Sequence, residues 1–226
     1  MTLEQLAGGL VVSCQAYPGE PMRDPRTMAQ VASAAEAGGA RAIRAQGIDD
    51  IVAVVAATTV PVIGIWKDGT EGVMITPTLR HALAVIAAGA HIVAIDGTRR
   101  PRPDGLTLAE TVAGIREVSD APIMADCGSL EDALAAEKAG AHLLGTTLAG
   151  YTGERPRGVG PDFEVLAAIV AGCRLPVIAE GRMRTPEDAE RALAMGALAV
   201  CVGTAITHPA SITRQFADAM ARVTAR

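Results

Sequence analysis

Aromatic residues are nearly missing from this sequence: they make up 2% of its 226 positions, with one Trp, two Tyr and two Phe. The core must therefore be filled by Ala, Val, Ile and Leu, which suits parallel strands packed closely beneath helices. Cysteine is scarce too. Cys14, Cys127, Cys173 and Cys201 show no C-x-x-C spacing. This excludes a disulfide framework, argues against a zinc site, and points to a reduced, cytoplasmic setting. No run of Lys or Arg reaches five residues and the formal net charge is −5, so no nucleic-acid footprint is expected. The short basic stretch at Arg99, Arg100 and Arg102 is broken by prolines and reads as a solvated loop. Apolar runs are interrupted by Gly, Pro or charge well short of a membrane span. The first residues lack a basic segment followed by a long apolar one, so no signal peptide is expected.

What is present is a hydrophobic share of 50%, enough for a large core, and a repeat. One kind of strand opens with proline: Pro61-Val-Ile-Gly-Ile, Pro122-Ile-Met-Ala-Asp and Pro176-Val-Ile-Ala-Glu. A second kind follows Gly-Ala, at Gly39-Ala40, Gly89-Ala90, Gly140-Ala141 and Gly196-Ala197. In each pair the glycine is placed to end the preceding helix in a left-handed conformation. Between strands lie helical patterns, such as Met28 to Ala37, Leu79 to Ala88, Leu130 to Ala139 and Pro186 to Met195. Ser129-Leu-Glu-Asp and Thr185-Pro-Glu-Asp are helix starts, with a capping oxygen ahead of acidic residues. With Gly9-Leu-Val-Val-Ser as the opening strand, the count is eight. The fold class is therefore α/β, a single (β/α)8 TIM-barrel domain over 1–226, with units of roughly 25 to 30 residues. The alternative is a doubly wound open sheet. It predicts a glycine-rich turn after the first strand, whereas Gly8-Gly9 precedes that strand and no G-x-G-x-x-G exists.

In such a barrel, chemistry sits at the carboxyl ends of the strands. Read in order, those ends fall at Gln15, Arg44, Lys67, Asp96, Asp126, Thr146-Thr147, Glu180 and Gly203. Each preceding run is almost wholly apolar, so polar groups of mixed charge gather at one rim. Any one of them has a bland explanation: Arg44 could neutralise Asp96 or Asp126, and Gln15 could satisfy a loop. Charges left near a dry interior are nevertheless costly unless paired or used. Gly181-Arg182 after the seventh strand and Gly203-Thr204 after the eighth form a candidate phosphate cradle, because glycine lets backbone N–H groups approach an anion.

The segments Gly9-Leu-Val-Val-Ser-Cys-Gln-Ala, Ala42-Ile-Arg-Ala-Gln-Gly, Pro61-Val-Ile-Gly-Ile-Trp-Lys and Ile75-Thr-Pro-Thr-Leu form one ordered series. It continues with Asp96-Gly-Thr-Arg-Arg-Pro-Arg-Pro, Met124-Ala-Asp-Cys, Gly145-Thr-Thr-Leu-Ala-Gly-Tyr-Thr and Val177-Ile-Ala-Glu-Gly-Arg. Over essentially its full length the chain resembles bacterial N-acetylmannosamine-6-phosphate 2-epimerases. The resemblance implies an isomerase that converts N-acetylmannosamine 6-phosphate to N-acetylglucosamine 6-phosphate in amino-sugar (sialic acid) catabolism. It implies Lys67 as the base at C2 and Glu180 at the anomeric end. Gln15, Arg44, Asp126, Thr147 and Tyr151 are expected at the sugar, and Gly181, Arg182, Gly203, Thr204 and His208 at the phosphate. A homodimer is also expected. Three departures stand out: a short Lys67-Asp68-Gly69-Thr70 stretch, Ala149 where serine is frequent, and His208 where arginine is common.

The chemistry can be argued from the groups themselves. Inverting C2 of an aldose needs a neighbouring carbonyl, so the ring must open. Glu180 is placed to move protons for the opening, and Lys67 to take the C2 proton. Burial beside Arg44 favours the neutral amine, and Arg44 is a candidate partner for the enolate oxygen. The net change is stereochemical only, so neither a cofactor nor a metal is expected. His81, His91, His142 and His208 are scattered and read as packing or surface residues. Two other readings remain: a Schiff-base aldolase or lyase using Lys67, and a non-catalytic sugar-phosphate sensor. The apolar positions of Ser211 to Val223 read as a helix closing the barrel.

Overall fold

A computed structural model describes residues 3–224. Eight parallel strands close into a barrel in chain order, with the last pairing onto the first. They are β1 (Gly9–Cys14), β2 (Ala42–Gln46), β3 (Val62–Ile65), β4 (Ile92–Asp96), β5 (Ile123–Asp126), β6 (Leu143–Gly145), β7 (Val177–Glu180) and β8 (Ala199–Val202). Helices α1 (Pro25–Ala37), α2 (Ile48–Ala57), α3 (Leu79–Ala87), α4 (Leu108–Arg116), α5 (Leu130–Ala139), α6 (Phe163–Gly172) and α7 (Pro186–Ala194) return the chain along the outside. The short α8 (Thr204–Thr207) and the longer α9 (Pro209–Thr224) follow β8.

The local signals act as expected. Thr185 and Asp188 form a reciprocal capping box on α7, and Ser129 accepts from the Asp132 N–H at the start of α5. Gly39, Gly89, Gly140 and Gly196 all take left-handed φ values, between +94° and +99°. Two histidines have a matching job at the amino rim. The Nδ1 atoms of His91 and His142 accept the first N–H of the preceding strand, from Val62 at 3.1 Å and Ile123 at 3.0 Å.

Side chains alternate across each strand, and this parity builds the barrel. Val11, Ala42, Ile63, Ile65, Ile92, Ala94, Met124, Leu143, Ile178, Ala199 and Cys201 fill the interior. Their neighbours, such as Val12, Ile43, Val62, Val93, Ile123, Leu144, Val177 and Val200, pack outward beneath the helices. Two residues along from the inward set come Ser13, Arg44, Lys67, Asp96, Asp126 and Glu180. The rule that fills the core also delivers charges to the mouth.

Several expectations need correcting. Arg44 does not end its strand; it is the middle residue of β2 and is 1% exposed. Gln15 lies just past β1, and Lys67 lies two residues past β3. The units are uneven: β2 and β3 start at residues 42 and 62, but β6 and β7 at 143 and 177, because loops at the mouth differ in length. The stretch from Arg99 to Arg102 is no solvated loop. Arg99 pairs with Asp132 and Glu154, Arg100 pairs with Asp96, and Arg102 is buried and donates to the Asp96 carbonyl. Nor does α9 close the barrel. It buries none of its described side chains and exposes Phe216, Met220 and Val223 at 69%, 70% and 74%.

Candidate active site

Arg44 lies at the base of the mouth. Its two terminal nitrogens hold both Asp126 oxygens, at 2.5 and 3.1 Å, and one nitrogen also stands 3.0 Å from a Glu180 oxygen. Thr147 donates to Asp126 from the side, at 2.7 Å. Room for this cluster comes from Gly145. A Cβ there would lie 2.5 Å from the Met124 methyl and 3.0 Å from Asp126 Oδ1. Glu180 is fixed through its backbone: its N–H donates to Thr146 Oγ1, and that hydroxyl is in turn 2.8 Å from the Glu180 carbonyl.

Lys67 enters from the next quadrant. Its amine donates to Gln15 Oε1 at 2.7 Å, and the Gln15 amide donates to Ser13 Oγ at 2.6 Å. Burial lowers the Lys67 pKa and the positive Arg44 lowers it further, while Glu180 and Asp126 oppose both. Glu180 moves the other way. Burial raises its pKa, Arg44 and Lys67 pull it down, and Asp126 pushes it up, for a net rise. Burial alone would depress Arg44, but Asp126 and Glu180 outweigh it and keep the guanidinium charged. The arrangement thus favours a neutral amine and a carboxyl able to exchange protons, both within the field of a fixed cation.

Not every expected residue sits as the sequence implied. Arg44 and Asp126 are buried and hold each other in a two-point ion pair, which keeps both back from the open mouth. Their influence on the mouth is through charge. Arg182 is engaged with loop carbonyls. It has φ +57°, and its guanidinium donates to the carbonyls of Gly160 and Ala149, lining a cleft with Arg155 and Asp162. Tyr151 is half-exposed between Arg157 and Arg182. Gly181, at φ +111°, follows Glu180. Gly203 and Thr204 open α8, whose first amides have no partner within the helix. His208, at the other end of α8, faces the Glu20 carboxylate at 3.4 Å.

Tyr17 escaped the sequence reading. Its ring centroid is 5.2 Å from the Lys67 amine and 5.3 Å from the His208 ring. Its backbone N–H is held by Glu20 at 2.7 Å. Burial raises its phenol pKa, as do Glu20, Tyr151 and Glu180. The available signal was parity: Ser13, Gln15 and Tyr17 step outward on one face.

Charge gathered over the carboxyl ends of a closed parallel barrel places this chain among the (β/α)8-barrel enzymes. Comparison narrows the class. The N-acetylmannosamine-6-phosphate epimerase family model matches residues 28–222. An N-acetylmannosamine-6-phosphate 2-epimerase of Cutibacterium acnes is 62% identical, over 96% of this chain and 96% of that one. One from Caldanaerobacter subterraneus is 49% identical, over 95% and 92%. The solved 2-epimerase of Clostridium perfringens superposes with a TM-score of 0.92 at 39% identity, covering 96% of this chain and 95% of that one. The chain belongs to the N-acetylmannosamine-6-phosphate epimerase family.

Proposed function

We propose that this chain interconverts N-acetylmannosamine 6-phosphate and N-acetylglucosamine 6-phosphate by taking and returning the proton at C2, in amino-sugar catabolism. The observation that carries this reading is the convergence of Lys67 and Glu180 on Arg44, with the amine biased toward neutrality and the carboxyl toward protonation.

The steps follow from these groups. Ring opening moves a proton from O1 to O5, and Glu180 relays it. The aldehyde then acidifies C2–H. Neutral Lys67 takes that proton as the C2–H electron pair moves toward C1 and O1, giving an enolate that carries the acetamido group at C2. Arg44 lowers the energy of that anion through its field. A proton returned to the opposite face of C2 gives the epimer, and the Lys67 ammonium gives up its own proton to restore the neutral amine. Ring closure reverses the first step. Gln15, Thr147, Tyr151 and Tyr17 line the sugar, while the amides of Gly181, Gly203 and Thr204, with His208, take the phosphate. Binding energy from the phosphate orients C2 over the amine.

We read residues 1–226 as one functional domain, working in the cytoplasm as a homodimer. Among the described residues no helix is long and apolar enough to cross a membrane, and the four cysteines are free thiols. The exposed apolar stripe of α9 supplies a contact surface for a second copy. The test is conversion of N-acetylmannosamine 6-phosphate by the wild-type protein and by Lys67→Ala. Product from the wild type, none from a folded variant, and no adduct on Lys67 after borohydride support the reading. A borohydride-trapped adduct would turn it toward Schiff-base chemistry.

A further inference from the structure

Lys67 stands outside the hydrogen-bonded ladder of the barrel, since β3 ends at Ile65. The chain runs on through Trp66 and Lys67, turns, and comes back so that Lys67 pairs antiparallel with Ile75. Two backbone bonds close this hairpin: the Asp68 N–H to the Met74 carbonyl at 3.0 Å, and the Thr76 N–H to the Trp66 carbonyl at 2.8 Å. Thr76 is fully buried with φ +47°, an uncommon state for a residue that is not glycine, and its hydroxyl accepts the Trp66 N–H at 3.1 Å. The returning arm meets β4 where Asp96 donates its N–H to the Ile75 carbonyl at 2.9 Å.

Two side chains from other elements grip this hairpin at different points. Arg100 reaches the far end, donating to the Gly72 carbonyl at 2.8 Å. The same guanidinium donates to the Asp96 carboxylate at 2.6 Å and to Thr98 Oγ1 at 3.0 Å. Asp96 also receives the Thr98 hydroxyl and N–H, so Asp96, Thr98 and Arg100 form one bracket. His81, buried on α3, grips the near end. Its Nε2 faces Asp68 Oδ2 at 3.1 Å, its Nδ1 faces the Thr78 hydroxyl at 2.6 Å, and its ring meets Trp66 edge-on at 4.5 Å. Arg80 lies over the Trp66 ring and also stands 3.3 Å from His81 Nε2. The residues on either side of Lys67 therefore both bear on one imidazole.

We propose that Arg100 and His81 are positioning residues: by pinning the hairpin of residues 66–76 at its two ends, they set where the Lys67 amine stands in the mouth. This rests on the reading of Lys67 as the base. A lysine beyond the sheet edge has no ladder to hold it, and a displacement of about 1 Å at a reacting group can cost on the order of 10²-fold in rate. The bracket also gives Asp96, Thr98 and Arg100 a task that substrate contact does not explain.

The experiment uses Arg100→Met, Arg100→Lys and His81→Phe in the full chain, with two readouts. The first needs no substrate: Lys67 is acylated with acetic anhydride across a pH series and quantified by mass spectrometry. Releasing the hairpin lets the amine leave Arg44 for solvent, so its titration should move up by about one pH unit in Arg100→Met and His81→Phe. The second is epimerisation. There kcat should fall on the order of 10²-fold while KM stays within about 3-fold. Arg100→Lys keeps a charge for Asp96 but lacks the fork that also spans Gly72, so it should fall between. Wild-type titration of Lys67 and unchanged kcat in both disruptive variants would overturn the proposal. Should His81→Phe fail to fold, the part-exposed Arg100→Met decides alone. Should the wild type not epimerise, the functional reading fails, and Lys67 acylation still decides the positioning role.

Discussion

Arg44 is the residue on which the site's electrostatics turn. It is 1% exposed, and it neutralises two carboxylates that would otherwise face each other in a dry barrel. Arg44→Met should cost about 3–5 kcal/mol, because Asp126 is left buried and uncompensated while Glu180 also loses its cation. Urea denaturation measures that loss. The same variant should change the pH profile. As the proposed base Lys67 works unprotonated, so activity should rise with pH through its pKa, and Arg44 holds that pKa down. Without the cation the acid limb of kcat/KM should move to higher pH; a limb that stays in place would remove Arg44 from the base's environment. Lys67, Glu180, Arg44 and Asp126 stood out in the sequence because each follows an apolar run, and the resemblance supplied their expected roles. Tyr17, His81 and Arg100 did not. They act on Lys67 across loops, and no local spacing records which loop folds against which.

Helix ends were the most legible elements, since capping is local. Thr185 with Asp188 and the Gly-Ala pairs need only their own neighbours. Strand ends were less so, because a strand stops where its partner's ladder stops. Lys67 reads as the end of β3, yet it is held by a hairpin instead. Packing between elements sets a second limit. Gly64 on β3 faces outward, where a Cβ would lie 2.6 Å from both the Ala90 Cβ and Val85 Cγ1. Gly64→Ala must push against α3 and the chain behind it, and overpacking of this kind costs about 1–3 kcal/mol. A clear fall in the urea midpoint is expected; an unchanged midpoint would mean that the β3–α3 contact yields freely.

For the whole molecule, the repeat of apolar strands and capped helices was enough to specify a closed barrel, with the charged rim following from parity. The fate of α9 was not specified. An amphipathic pattern says that a helix has an apolar face, and not what covers it. In this chain the barrel does not: Phe216, Met220 and Val223 share one side of α9 and all face solvent. If a second copy covers them, sedimentation should report a dimer of the 23.1 kDa chain, and Phe216→Glu with Met220→Glu should yield monomers. A wild-type monomer would contradict the dimer.

Carbon-bound hydrogen offers the most direct test of the whole account. Proton NMR of the wild-type protein with N-acetylmannosamine 6-phosphate in D2O should show N-acetylglucosamine 6-phosphate appearing with deuterium at C2, as a base exchanging with solvent requires. Epimerised product that keeps its original hydrogen at C2 would contradict proton abstraction by a solvent-exchanging Lys67.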